Sequence, residues 1–321
     1  MQQYRAPRWL VGGNAQTIWA ALAARRFEGT APSFRRERWT TPDHDFIDVD
    51  WQGENTAAPL LVLFHGLEGS SASHYAQSFA HWARGHGWRF AVPHFRGCSG
   101  EMNLAPRAYH SGDFVEVGWM LAQARARHKG PIAAVGVSLG GNALLRWAEE
   151  AGETAAQTLR AIATVSTPFD LAAGSRAIGS GFNRQTYTRM FLRTMKPKAL
   201  VKLGQYPGLF DRARLLAARD LFEFDNVVSG PMHGFRDAMD YYTRCSSRPQ
   251  LRRIRIPALL LNARNDPFVP AASLPQPGDV SAQVTLWQPA QGGHVGFPDG
   301  RWPAQVMTLP EQVMGWIGAR I

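Results

Sequence analysis

Cysteine is nearly absent: Cys98 and Cys245 are the only two in 321 residues. They form neither a CxxC pair nor a metal-ligand spacing. That argues against a disulfide framework and fits two unrelated thiols in a reducing compartment. Long apolar runs are missing too. No stretch approaches the roughly 18 to 20 residues that a membrane-spanning helix needs, and the apolar residues 18–24 end at Arg25 and Arg26. The opening residues 1–8 lack the apolar core of a secretion signal. Together these absences lead us to expect a soluble, cytoplasmic protein.

Acidic residues are outnumbered, 25 against 35 basic ones, for a net charge of +10. Much of the excess sits in one segment. Between Leu171 and Ala218 lie Arg176, Arg184, Arg189, Arg193, Lys196, Lys198, Lys202, Arg212 and Arg214 against Asp211 alone. No nucleic-acid-binding signature accompanies them, so no nucleic acid partner is expected, and the segment reads first as a solvated helical face. Its second reading is transient contact with an anionic membrane surface. HExxH, a phosphate loop and a dinucleotide fingerprint are all missing, so neither metal nor cofactor is expected. There is no repeat and no low-complexity tract, and with 45% apolar and 19% charged residues the chain has the composition of a folded globular protein.

What is present is a rhythm of strands and helices. Residues 46–51 alternate apolar and polar, as a half-covered strand does, whereas residues 59–64 are apolar throughout, as a buried central strand is. A helix over 75–85, a strand over 88–93, a helix over 113–128 and strands over 131–135 and 161–165 follow. Residues 258–262 and 283–287 supply two more strands. This predicts an α/β fold with a mostly parallel twisted sheet and helices on both faces. We expect a single domain over 1–321. Its core would span about 40–168 and 249–321, with a helical cap insertion over about 169–248 and an N-terminal extension over 1–39.

In such sheets chemistry gathers at the carboxyl ends of the strands. After residues 131–135 comes Gly136-Val137-Ser138-Leu139-Gly140, followed by a helix-like stretch. Ser138 reads as a nucleophile on a sharp strand-to-helix turn. His65-Gly66-Leu67-Glu68-Gly69 follows residues 59–64 at the place of a second oxyanion donor, so the N–H groups of Leu67 and Leu139 are the expected oxyanion hole. Asp266, after residues 258–262, is the expected acid, with Asp170 as a rival. His294, in the glycine-flanked loop Gly292-Gly293-His294 after the last strand, is the expected base.

These residues resemble the α/β-hydrolase superfamily, and within it the YheT-like branch, also called the AB hydrolase 4 family. Besides the stretches around Ser138, Leu67 and His294, several segments carry the resemblance. They are Pro7-Arg8-Trp9-Leu10 with Gln16-Thr17-Ile18-Trp19, Phe95-Arg96-Gly97-Cys98-Ser99-Gly100, Tyr109-His110-Ser111-Gly112, and Phe224-Asp225 through Tyr241-Tyr242. Asn14 stands near where the family usually has a histidine. The resemblance implies a serine hydrolase of carboxylic esters, of short-chain carboxylesterase or acylglycerol lipase type, acting on a small-molecule or lipid ester.

The expected mechanism is attack by Ser138, activated by His294 and Asp266, through an acyl-enzyme. Hydrolysis of an amide or a thioester, or a catalytically silent ligand-binding protein, are the alternatives. Phe182, Tyr187, Met190, Phe191, Leu192 and Met195 are expected to be the cap's own core, with an acyl channel beneath a cationic rim as the other reading. Cys98 is expected to pack as a small apolar group, with Arg96 tying down its loop. Nothing in the pattern sets an oligomeric state.

Overall fold

The apolar runs of the sequence become the inner strands of one sheet in a computed structural model that describes residues 4–321. Its strands are β1 (Arg35–Thr40), β2 (Phe46–Gln52), β3 (Leu60–Phe64), β4 (Arg89–Pro93), β5 (Ile132–Val137), β6 (Ala161–Val165), β7 (Ala258–Leu261) and β8 (Val284–Trp287). They are ordered β1-β2-β4-β3-β5-β6-β7-β8. Pairing is antiparallel at β1–β2 and β2–β4 and parallel from β4 to β8.

Alternation along the strands feeds two apolar layers. Leu60, Val62 and Phe64 of β3 face the helices α3 (Phe114–Ala126) and α4 (Leu139–Ala151), where Val117, Met120, Leu144 and Leu145 meet them. Leu61 and Leu63 point the other way, onto Phe79 and Ala83 of α2 (His74–Gly85) and onto Val313 and Ile317 of a helix at Thr308–Gly318. Both faces are covered, so the inner strands need no polar side.

β2 departs from expectation. Its residues 46–51 are all buried rather than half covered. The reason is β1, which the sequence reading missed because Arg35-Arg36-Glu37-Arg38-Trp39-Thr40 carries no apolar run. Arg36 and Arg38 lie opposite Asp50 and Asp48 in register. Each makes a two-pronged pair, at 2.8 and 2.9 Å for Arg36–Asp50 and the same for Arg38–Asp48. The polar face of β2 is thus roofed by charge pairing instead of being left to water.

Between β6 and β7 the chain is helical. It includes α5 (Leu171–Ile178), α6 (Arg189–Gln205) and α7 (Ala238–Cys245), and the helix at Thr308–Gly318 is α8. Ahead of the sheet stands α1 (Gly13–Leu22). Among the described residues no helix is long and apolar enough to cross a membrane.

The loop after β4 is fixed by a buried charge cluster. Arg96 donates to Asp45 at 2.7 Å, to Asp43 at 2.8 Å and to Glu116 at 2.5 Å. Asp45 also accepts from Phe46 N, Leu104 N and Ala105 N and from Asn103 Nδ2. Burial alone would raise its carboxyl, but these hydrogen bonds outweigh burial and hold it down at about 2. A depressed carboxyl contributes stability that is complete above its unfolded value and is lost as pH falls through the folded one. Urea unfolding of the wild type should therefore weaken steeply between pH about 4 and about 2. Asp45→Asn should cost about 3 kcal/mol at neutral pH and show a flatter acid limb.

Candidate active site

β5 runs apolar to its end and stops in a turn that only small residues can build. Ser138 sits at φ 53° and ψ −117°, a strained conformation for a residue with a side chain. It is held by its own N–H, which donates to Val165 O at 2.8 Å, and by its carbonyl, which accepts from Gly141 N and Asn142 N. The flanking glycines are required by close approach. A Cβ on Gly140 would lie 2.5 Å from the carbonyl oxygens of both Phe64 and His65, and one on Gly136 would lie 2.6 Å from Gly140 O. The turn thus presses α4 against the end of β3, and Ser138 stands above the sheet.

His294 and Asp266 meet it there. His294 Nε2 is 3.0 Å from Ser138 Oγ, and Nδ1 is 2.9 and 3.1 Å from the two carboxylate oxygens of Asp266. The Asp266 side chain is fully buried, and its Oδ1 also accepts from Phe268 N at 2.8 Å and Val269 N at 3.2 Å. The Phe268 ring lies over the imidazole, 4.2 Å between centroids. The rival acid, Asp170, is elsewhere: it caps α5, accepting from Ala173 N at 2.9 Å.

In the turn after β3, neighbours occupy the amides around Leu67. Gly66 N donates to Tyr75 Oη, Glu68 N to Tyr109 Oη, and Gly69 N to Gly66 O. Leu67 N–H is left over, beside the cavity that Leu67, Leu139, Ser138 and His294 all line. Leu139 N–H, at the first turn of α4, is likewise not taken by any described group. His65 anchors the turn from below. Its Nε2 accepts from Phe95 N at 3.0 Å and its Nδ1 faces Gly66 O at 2.8 Å. Burial lowers it to about 3, so it stays neutral.

The cavity has a volume of about 200 Å³. Its wall includes the apolar Leu171, Ile178, Phe191 and Met195, the polar Ser175, Asp225, Ser229 and Tyr242, and the charged Glu68, Arg96, Lys198 and Lys202. Burial pushes Asp225 up to about 6, against hydrogen bonds from Ser229 and Tyr242. The six apolar residues of the basic segment therefore divide. Phe191 and Met195 line the cavity, Leu192 packs in a cluster with Leu215 and Phe224, Tyr187 lies on Phe268, and Phe182 and Met190 are exposed. The basic side chains are not all solvated either. Lys198 pairs with Glu68 at 2.8 Å, and buried Lys202 donates to the carbonyls of Asn103 and Ala105.

Cys98 packs at the edge of the core, and burial pushes its thiol up to about 12, so it stays protonated. No group of three or more metal-ligating side chains occurs among the described residues.

Sequence reasoning missed what the N-terminal segment does. Buried Gln16 accepts from Gly292 N and from Asn265 Nδ2, both at 2.9 Å, while Asn265 Oδ1 accepts from Gly293 N at 3.0 Å. Thr17 Oγ1 accepts from His294 N at 2.8 Å and donates to Gly13 O. One turn of α1 thus grips both the acid loop and the histidine loop. The Gln16-Thr17 pair carries part of the family resemblance, but its partners in these two loops lie more than 240 residues away, where no spacing rule reaches.

Comparisons with known proteins agree with this architecture. The sequence pattern of the alpha/beta hydrolase fold matches residues 59–301. A protein of Escherichia coli named "Putative esterase YheT" is 40% identical over 88% of this chain and 84% of its own. Phospholipase ABHD3 of Mus musculus is 29% identical over 90% of this chain and 72% of its own. The Monoacylglycerol lipase of Saccharomyces cerevisiae is 29% identical over 84% of this chain and 62% of its own. Among solved structures, the Pyrococcus furiosus esterase Pf2001 superposes with a TM-score of 0.55 at 14% identity, over 92% of this chain and 96% of that one, which bears on the fold alone. The chain belongs to the α/β-hydrolase family, in its YheT-like branch.

Proposed function

We propose that this protein hydrolyses carboxylic esters with Ser138 as nucleophile, His294 as general base and then acid, and Asp266 as the group that orients and supports the imidazole. The observation that carries the reading is the continuous line Asp266–His294–Ser138, at 2.9 and 3.0 Å, opening into an apolar cavity. His294 takes the Ser138 proton as Oγ attacks the ester carbonyl, and the tetrahedral oxyanion rests on the N–H groups of Leu67 and Leu139. The imidazolium, held by Asp266, gives its proton to the departing alkoxide and leaves an acyl-enzyme. Water, deprotonated by the same imidazole, attacks the acyl carbon, and Ser138 is regenerated as the acid departs. Each oxyanion donor is worth about 3 kcal/mol, and the three side chains acting together on the order of 10⁶ in rate.

The segment over 169–248 is the cap of this site. The acyl chain lies in the cavity against Phe191, Met195 and Ile178, which suits a short-chain or acylglycerol ester. Relatives named esterase, phospholipase and monoacylglycerol lipase support an ester substrate.

Ser138→Ala should abolish turnover of a p-nitrophenyl ester series from acetate to palmitate, and of a monoacylglycerol, while leaving thermal unfolding near that of wild type. Equal turnover by the variant would remove the assignment. A wild type that is silent on esters but cleaves peptide arylamides or thioesters, or that fails to react with a fluorophosphonate, would favour the alternatives. Ile178→Trp narrows the cavity and should shift the optimum to shorter acyl chains.

Thr17 is a positioning residue in this reading. Thr17→Val removes the acceptor of His294 N–H and should lower kcat by about tenfold to a hundredfold, the cost of a misplaced base, with KM nearly unchanged. Thr17→Ser should restore kcat. A matched rise in KM, or no recovery with serine, would place Thr17 in general packing instead.

A further inference from the structure

The face of α1 opposite its grip on the histidine loop is aromatic and open to solvent. Trp9, Trp19 and Trp302 form a ring cluster with centroids 4.6 to 5.3 Å apart. Trp302 is 67% exposed and Trp9 41%, and beside them Val11 is 81% and Leu22 79% exposed. Leu22 follows Trp19 by one helical turn, so their side chains are neighbours on the helix surface. This cluster is not a frayed terminus. Trp19 Nε1 donates to Pro303 O at 2.6 Å, Arg25 N to Ala304 O at 3.0 Å, and Val306 N to Arg25 O at 3.0 Å, which fastens α1 to the loop that carries Trp302.

The charge around the cluster is one-sided. Arg5, Arg8, Arg25, Arg26 and Arg301 lie in the same two segments, and none of them forms an ion pair among the described residues, although Arg26 donates to Ala21 O at 3.0 Å, whereas Arg36, Arg38, Arg96 and Arg146 are all paired. The acids in those segments are Glu28 and Asp299, the latter hydrogen-bonded by Gly300 N and by the Thr308 hydroxyl, so five arginines stand against two carboxylates. Exposed indoles suit the boundary between headgroup and acyl chain, where one edge is apolar and the other can hydrogen-bond. Unpaired guanidiniums beside them suit anionic headgroups.

We propose that this rigid tryptophan face, flanked along the chain by Arg5, Arg8, Arg25, Arg26 and Arg301, is a docking surface for the headgroup layer of an anionic lipid bilayer. Trp302, Trp9, Val11 and Leu22 enter the interface, and the arginines bind headgroup phosphates. This differs from contact through the basic segment 171–218, which also holds arginines without an ion pair among the described residues, such as Arg189 and Arg193, but no tryptophan, and where Lys196, Lys198 and Lys202 are spent on Leu216 O, Glu68 and the carbonyls of Asn103 and Ala105. Docking through α1 puts the bilayer one helix away from the loop that carries His294.

The test is co-sedimentation of the full chain with vesicles of phosphatidylcholine alone and of equal parts phosphatidylcholine and phosphatidylglycerol. Binding is expected to favour the anionic vesicles and to weaken with added salt. Trp302→Ala and Leu22→Ser should each weaken it about tenfold, the scale of one large apolar side chain lost from a buried contact. Arg8→Gln with Arg301→Gln should remove the preference for phosphatidylglycerol. The thermal unfolding midpoint of Trp302→Ala should stay near that of wild type, which shows the variant folded and keeps this test independent of the ester reading. The proposal is overturned by a lack of binding to either vesicle, by binding indifferent to Trp302→Ala, or by binding lost only in Arg189→Gln with Arg193→Gln. It is equally overturned if ultracentrifugation finds a dimer that Leu22→Ser dissolves, since a second copy would then cover the face.

Discussion

The backbone of Ser138 is the constraint on which the rest of the molecule depends. A serine at φ 53° is tolerated only where its surroundings leave it no alternative. Here the surroundings are the strand ends themselves. Val165 O at the end of β6 accepts the serine N–H, and the carbonyls at the end of β3 lie so near Gly140 that no side chain fits between them. The parallel sheet, by aligning three carboxyl ends, stores the strain in well-packed apolar layers and presents one hydroxyl clear of them.

A strained serine is useful only if its partners arrive at fixed positions, and they come from loops that would otherwise move. The histidine loop contains positive φ values at Gly293, Val295 and Phe297, and Gly293 and Gly296 sit too close to α1 for any side chain. Gln16, Thr17 and Asn265 close this loop against the acid loop, and Ser166 Oγ accepts from Val295 N on the other side. A segment outside the sheet therefore does for His294 what the strand ends do for Ser138. The cost is a set of buried polar side chains, offset because most of their hydrogen-bonding groups are used.

Polar burial recurs around the cavity. Lys198 with Glu68, and Lys202 with the carbonyls of Asn103 and Ala105, join α6 to the loops after β3 and β4 and hold the basic segment down over the serine. The cavity wall combines the apolar side chains of Ile178, Phe191 and Met195 with Asp225, Ser229 and Tyr242, which are joined to one another by hydrogen bonds.

The sequence by itself determined the sheet's inner strands, the serine turn and the chain order of Ser138, Asp266 and His294. These are local signals: apolar runs bounded by glycine, and single residues placed just after them. It determined neither β1, whose charged residues gain meaning only opposite Asp48 and Asp50, nor the burial of β2 that follows. Nor did it reveal the work of Gln16 and Thr17 or the division of the basic segment's apolar residues between cavity, core and surface. Only the tertiary structure decided these, because each depends on which distant groups a side chain meets, and hydrogen bonding across hundreds of residues leaves no periodicity in the chain.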